Sequence, residues 1–121
     1  MYRDAILDHY KHPRNFGALK NFDAKAEAYN ATCGDRIVMQ VRFKNDRIEE
    51  AKFHGVGCAI SQASASMLTE KVKGMAKKDI MKLTTEDIIS MLGTTLTPSR
   101  TKCGVLPLEV LQKAITHGQR S

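Results

Sequence analysis

Tryptophan is absent from this chain, and four phenylalanines with three tyrosines make up its whole aromatic content. Modules for single-stranded nucleic acid stack bases on aromatic platforms set among basic residues, and there is little material for that here. Cysteine is scarce too: there are three, at Cys33, Cys58 and Cys103, and no CxxC pair. That excludes a zinc knuckle, a thioredoxin-type motif and a disulfide framework. Proline numbers three and glycine eight, which excludes a collagen-like or low-complexity chain. Apolar runs such as Ala5-Ile6-Leu7 are far too short to span a membrane. Arg3, Asp4 and Asp8 occupy the stretch where a signal peptide would be apolar. The expected address is therefore cytoplasmic, where cysteines serve as thiols or metal ligands. P-loop, Rossmann and nucleophile-elbow patterns are missing as well.

What remains is an ordinary globular composition. With 121 residues, 42% hydrophobic and 26% charged, the chain is expected to form one domain over residues 1–121. The net charge is +6, and Lys71, Lys73, Lys77 and Lys78 are its dense cluster. Without interleaved aromatics this cluster reads as a solvated helical face. Docking to an acidic partner comes second, and a basic nucleic-acid-binding module is the remote alternative.

Periodicity predicts a helix over 2–11, halted before Pro13, then a loop from His12 to Lys20 and a weak strand over 25–31. Ile37, Met39, Val41 and Phe43 alternate with Arg36, Gln40 and Arg42, the pattern of a half-buried strand. Asn45-Asp46 reads as a tight hairpin turn to a returning strand over 48–54. Gly55-Val56-Gly57 breaks that strand. A helix is predicted over 59–73, ended by Gly74, then short helices over 77–82 and 85–92, with Thr84 or Thr85 as N-cap. Thr94 to Lys102 reads as a polar loop around Pro98. The last helix is predicted from Gly104 to Thr116, with Pro107 in its first turn. Helix, strands, then helices give an α+β class.

The cysteines are 25 and 45 residues apart, and placement says more than spacing. Each is expected at a break between elements beside a glycine, outside any apolar stripe: Cys33 before the best strand, Cys58 and Cys103 at helix starts. A helix N-terminus favours the thiolate, the form that binds metal and attacks sulfur. Lys102 would help hold a thiolate at Cys103. The bland alternative is three small buried hydrophobes, the usual fate of one free cysteine; three together at such positions favour ligands. Asp35, two residues from Cys33 and on the same strand face, is the fourth candidate. Three thiolates and a carboxylate suit zinc or an iron–sulfur cluster. Among the histidines, His54 lies within chain reach of Cys58, although a packing role is the plainer reading.

These residues carry a resemblance. Asp8-His9-Tyr10, Pro13-Arg14-Asn15-Phe16-Gly17, Asn30-Ala31-Thr32-Cys33-Gly34-Asp35, Gly55-Val56-Gly57-Cys58-Ala59-Ile60-Ser61-Gln62-Ala63-Ser64 and Arg100-Thr101-Lys102-Cys103 stand in one order across nearly the whole chain. In this the sequence resembles the U-type iron–sulfur cluster assembly scaffolds, the IscU, NifU N-terminal and SufU proteins. The resemblance implies an α+β fold with a three-stranded antiparallel sheet and helices packed on one face. It implies a site of Cys33, Asp35, Cys58 and Cys103 that accepts sulfur from a cysteine desulfurase, binds Fe2+ and transiently assembles a [2Fe-2S] cluster for acceptor proteins. Zn2+ takes the same ligands in this family. Lys102, where many scaffolds have histidine, is similar to the SufU branch and implies the alternative of a zinc-dependent sulfurtransferase. Leu96-Thr97-Pro98-Ser99-Arg100 resembles the Leu-Pro-Pro-Val-Lys segment read by an Hsp70-type chaperone, with one proline and the lysine replaced. Persulfide acceptance is expected at Cys103 beside Lys102.

Overall fold

The computed structural model describes residues 2–31 and 34–117. The elements run α1 (Tyr2–Lys11), β1 (Ala24–Asn30), β2 (Asp35–Lys44), β3 (Arg47–Val56), α2 (Ala59–Val72), α3 (Lys77–Ile80), α4 (Thr85–Leu92) and α5 (Pro98–His117). The strands form one antiparallel sheet in the order β1-β2-β3. Register follows from alternation. Ile37, Met39 and Val41 are fully enclosed on the face that meets the helices, and a slip of one residue would turn all three outward. Asn45 and Asp46 turn the β2–β3 hairpin with φ of 55° and 61°, the left-handed pair that asparagine and aspartate tolerate. α2 and α5 pack on the sheet and on each other, α1 lies on α2, and α4 leans on α5. The three-stranded sheet with helices packed against it is the architecture expected from the sequence.

α4 starts with a capping box: the Thr84 side chain accepts from the Asp87 amide and the Asp87 carboxylate accepts from the Thr84 amide. Thr84, not Thr85, is therefore the N-cap. The last helix departs from expectation. It begins at Pro98, not Gly104, so Thr94 to Lys102 is not a continuous loop and Pro107 lies ten residues into a twenty-residue helix. Thr97 offers its carbonyl to the Thr101 amide at 2.8 Å and starts the first turn. Pro107 has no N–H for the Cys103 carbonyl four residues back. One residue on, the Gly104 carbonyl accepts a hydrogen bond from Ser64 Oγ on α2 at 2.5 Å. That bond ties the proline-weakened stretch of α5 to its neighbour.

The second face of the sheet is not simply wet. Val38 and Gln40 point away from the helices yet are 1% and 7% exposed. The loop after α1 covers them. Its residues Asn15 and Gly17 exchange backbone bonds with Phe53 at the free edge of β3, and the Asp23 amide bonds the Val41 carbonyl on the far side. Between these anchors the Leu19 amide donates to Gln40 Oε1 at 2.8 Å and Arg42 donates to the Lys20 carbonyl. The loop is thus a strap across β2. No helix among the described residues is long and apolar enough to cross a membrane. Within the lysine cluster, Lys77 lies over the Phe43 ring at 4.0 Å, while Lys71, Lys73 and Lys78 are exposed.

A polar bolt joins α1, the strap and α2. Ser66 Oγ accepts the Arg14 amide at 2.8 Å and lies 2.7 Å from His9 Nδ1, an arrangement that fits a neutral ring accepting the hydroxyl proton. Burial, then the Arg14 guanidinium, holds the His9 pKa below its usual value; Glu70 and Asp8 oppose this without reversing it. A depressed folded-state pKa means that the unfolded chain takes the proton first as pH falls. The contribution is complete above the ordinary histidine value of 6.5 and is lost on acidification below it. Urea midpoints are expected to fall between about pH 7.5 and about pH 5.5, and His9→Gln to flatten that part of the curve. An equal slope in both proteins would remove His9 from this role.

Candidate metal centre

One end of the sheet gathers the candidate ligands. Asn30 ends β1 and pairs with Asp35, the first residue of β2, at this end; Cys33 lies outside the described residues. Arg36 pairs with Val56, the last residue of β3, which brings Gly57 and Cys58 to the same end. Cys58 is the N-cap of α2, with extended backbone and no capping bond from its own side chain. Asp35 supplies the missing acceptor from another element: its Oδ1 takes the Cys58 amide at 2.8 Å. A carboxylate is well placed at a helix N-terminus, where amide donors are unsatisfied and the dipole is positive.

A carboxylate oxygen of Asp35 and the Sγ atoms of Cys58 and Cys103 lie within 4.8 Å of one another. Two thiolates on one tetrahedral zinc sit about 3.8 Å apart, given Zn–S bonds of about 2.3 Å. The spacing is thus slightly wider than a closed zinc site and narrows with small side-chain movements. Two soft thiolates with one carboxylate suit zinc or an iron–sulfur vertex. A second observation supports the fit: Asp35 is 1% exposed, and its Oδ2 is buried with no hydrogen-bond partner among the described residues. An oxygen in that state is poorly served unless a cation reaches it.

The environment of the two described cysteines differs. Cys58 is half-buried, while Cys103 is wholly enclosed. Cys103 was expected at a helix start outside any apolar stripe. It lies instead in the second turn of α5, among that helix's buried residues, because the helix begins at Pro98. The helix-terminus argument therefore applies to Cys58 and not to Cys103. Asn30 Nδ2 approaches Cys103 Sγ at 3.7 Å as a donor. Lys102 is exposed and lines a shallow recess with Tyr29, Asn30 and Glu109, rather than joining the ligand atoms. His54 shares the strap-covered face of the sheet with its partner Val38, so the structure does not bring it to the site. Beside Asp35, Arg36 pairs with Glu27 at 2.6 Å. The Tyr29 hydroxyl, ahead of Glu27, raises the Arg36 pKa further above its ordinary value.

Three further residues complete the arrangement, and the sequence alone assigns no role to the first two. Asn30 is the donor to Cys103. Ser61 is fully buried, with Oγ 3.3 Å from Asp35 Oδ1, 3.0 Å from the Cys58 carbonyl and 3.9 Å from Cys58 Sγ. Gly57 makes room for both, since a Cβ there would stand 2.5 Å from Asp35 Oδ1 and 2.5 Å from Ser61 Oγ. Glycine beside a candidate cysteine was the available signal for the last of these. Gly57→Ala is expected to cut zinc affinity by about tenfold, because it displaces Asp35 and Ser61 together. Chelator competition measures it, and wild-type affinity would show that the site yields without cost.

Comparison with known proteins agrees with the geometry. The chain is 39% identical to the zinc-dependent sulfurtransferase SufU of Bacillus subtilis, over 95% of this chain and 89% of that one. It is 38% identical to the iron-sulfur cluster assembly scaffold protein IscU of Aquifex aeolicus, over 94% of this chain and 73% of that one. A crystal structure of a putative iron-sulfur cluster assembly scaffold protein for the SUF system from Fervidobacterium islandicum superposes with a TM-score of 0.82 at 30% identity, covering 93% of this chain and 95% of that one. The NifU-like N terminal domain model matches residues 1–120. The Cys-Asp-Cys end of the sheet, these relatives and that match agree: the chain belongs to the NifU-like N terminal domain family.

Proposed function

We propose that this protein is a cytoplasmic iron–sulfur cluster assembly scaffold. It takes sulfur from a cysteine desulfurase, binds Fe2+, and holds a [2Fe-2S] cluster until an acceptor protein removes it. The convergence of Asp35, Cys58 and Cys103 at the loop-rich end of the sheet carries this reading, and Cys33 is the fourth ligand. Family membership and the scaffold names of its relatives support it. A transient cargo needs ligands that open at low free-energy cost; half-buried Cys58 at the start of α2 meets that need, whereas enclosed Cys103 opens only with α5.

Sulfur transfer is a thiolate attack on the outer sulfur of the donor persulfide, with the desulfurase cysteine leaving as thiolate. We assign acceptance to Cys103, beside Lys102 and hydrogen-bonded by Asn30. Its burial makes acceptance depend on local opening of α5, which Pro107 has weakened at that carbonyl. Persulfide trapped on Cys33 or Cys58 by mass spectrometry would reassign it. Handover assisted by an Hsp70-type chaperone through residues 96–100 belongs to the same proposal.

Lys102 and the relative named as a zinc-dependent sulfurtransferase favour a second reading, in which Zn2+ occupies the ligands until the desulfurase displaces one. One experiment separates the two. Anaerobic incubation with desulfurase, cysteine and iron yields a coloured cluster if the scaffold reading holds. Stoichiometric zinc, persulfide transfer and no chromophore would replace it with the relay.

A further inference from the structure

The two oxygens of Asp35 are used differently. Oδ1 is occupied by the protein: the Cys58 amide donates to it at 2.8 Å, and the Ser61 hydroxyl lies 3.3 Å away. Oδ2 is buried and without a partner among the described residues. Both donors to Oδ1 come from the start of α2, the element that also carries Cys58. Ser61 is fully buried, so water does not compete for its hydroxyl. Gly57 has no Cβ to crowd either group, which lets both stand this close to the chain.

From this we infer that Ser61 is the positioning residue of the centre: with the Cys58 amide it holds Asp35 Oδ1, so that Asp35 ligates through Oδ2 alone. The inference rests on the metal-centre reading above and deepens it. Partners behind a ligating group fix its orientation, and their loss typically lowers metal affinity about 10–100-fold. The Ser61 hydroxyl has one proton. It is shared between Asp35 Oδ1 and the Cys58 carbonyl at 3.0 Å, so the same side chain ties the carboxylate to the backbone of the neighbouring thiol ligand. Ser61 touches no metal; its effect passes chiefly through Asp35 Oδ1 at 3.3 Å, the contact with Cys58 Sγ being longer at 3.9 Å.

The dependence on Asp35 supplies the test. The full chain, stripped of metal under reducing conditions, is titrated with Zn2+ against a chromophoric chelator and with Co2+ for its visible spectrum. The proteins are wild type, Ser61→Ala, Ser61→Thr, Asp35→Ala and the double variant. Ser61→Ala is expected to lower zinc affinity about tenfold and to shift the Co2+ ligand-field bands. Ser61→Thr, which keeps the hydroxyl, is expected to restore both. In the Asp35→Ala background, Ser61→Ala is expected to do nothing further, as a double-mutant cycle requires of a residue acting through another. An equal loss from Ser61→Ala in both backgrounds, or a threonine variant that behaves like the alanine one, overturns the role. So does unchanged affinity in Ser61→Ala while Asp35→Ala falls, which leaves the metal centre standing. Unchanged affinity in Asp35→Ala removes Asp35 from the ligand set, and overturns the role of Ser61 with it.

Discussion

Cys58→Ala is expected to lose zinc affinity by about 100-fold or more, and Cys103→Ala by as much. Apparent binding free energies at four-ligand structural zinc sites run about 10–16 kcal/mol. Shared over four ligands, that is roughly 3 kcal/mol each, or about two orders of magnitude in affinity. The two variants separate what each residue does besides ligating. Cys58→Ala leaves the backbone bond from residue 58 to Asp35 Oδ1 untouched, since the amide and not the thiol makes it. Its cost falls on metal binding, and its melting temperature without metal stays near wild type. Cys103 is wholly enclosed in α5, so Cys103→Ala also opens a small cavity and lowers stability by about 1 kcal/mol without metal. The measurements are anaerobic chelator competition and calorimetry of the metal-free protein. Near-wild-type zinc affinity in either variant would remove that cysteine from the ligand set.

How much of this was legible in the residues varies with the kind of force involved. The β2–β3 hairpin was plain, because period-two alternation and Asn45-Asp46 are local signals, and the strands extend past the expected bounds by one or two residues at each end. Asp35 stands two residues from Cys33, but β2 begins at Asp35 and Gly34 turns with φ 69°, so strand alternation does not carry that expectation. The start of α5 was misread for a local reason as well. Pro98 and Pro107 both suit a first helical turn, and Pro98–Arg100 are exposed, so no apolar period marks them. A start at the later proline would put Cys103 at a helix N-terminus; the start at Pro98 puts it mid-helix, where the terminus argument does not apply. Gln40 reads as part of the polar face with Arg36 and Arg42, but the strap that buries it is a long-range contact. Ser61 and Asn30 were invisible for the same reason. A serine in a helix and an asparagine at a strand end have ordinary local explanations, and their partners are 26 and 73 residues away.

Gly55→Ala is expected to lower the melting temperature by about 15 °C and to weaken metal binding with it. Gly55 pairs with Ile37 at φ 144°, a conformation that L side chains rarely adopt. A Cβ there would stand 1.9 Å from the Arg36 carbonyl oxygen and 3.2 Å from the Ile37 Cα, all of it backbone. Backbone in a paired strand yields only by giving up ladder bonds, so the contact is not relieved by a rotamer change. Strain of about 1–3 kcal/mol from the dihedral and a similar overpacking cost add to roughly 3–5 kcal/mol. For a chain of this length each kcal/mol is worth about 4 °C. The displaced carbonyl belongs to the residue after Asp35, and Cys58 follows three residues beyond Gly55, so the disturbance enters the ligand set from both strands. Gly74→Ala is the control. Its φ is 84°, but nothing lies within 4 Å of the added Cβ, and it stands at the far end of α2. It carries the left-handed penalty alone, about 1 kcal/mol and about 4 °C, with metal binding unchanged. Thermal melts and zinc titrations on both variants decide the matter. Similar melting temperatures for the two would mean that β2 and β3 do not approach at Gly55, and the register that brings Asp35 to Cys58 would have to be redrawn.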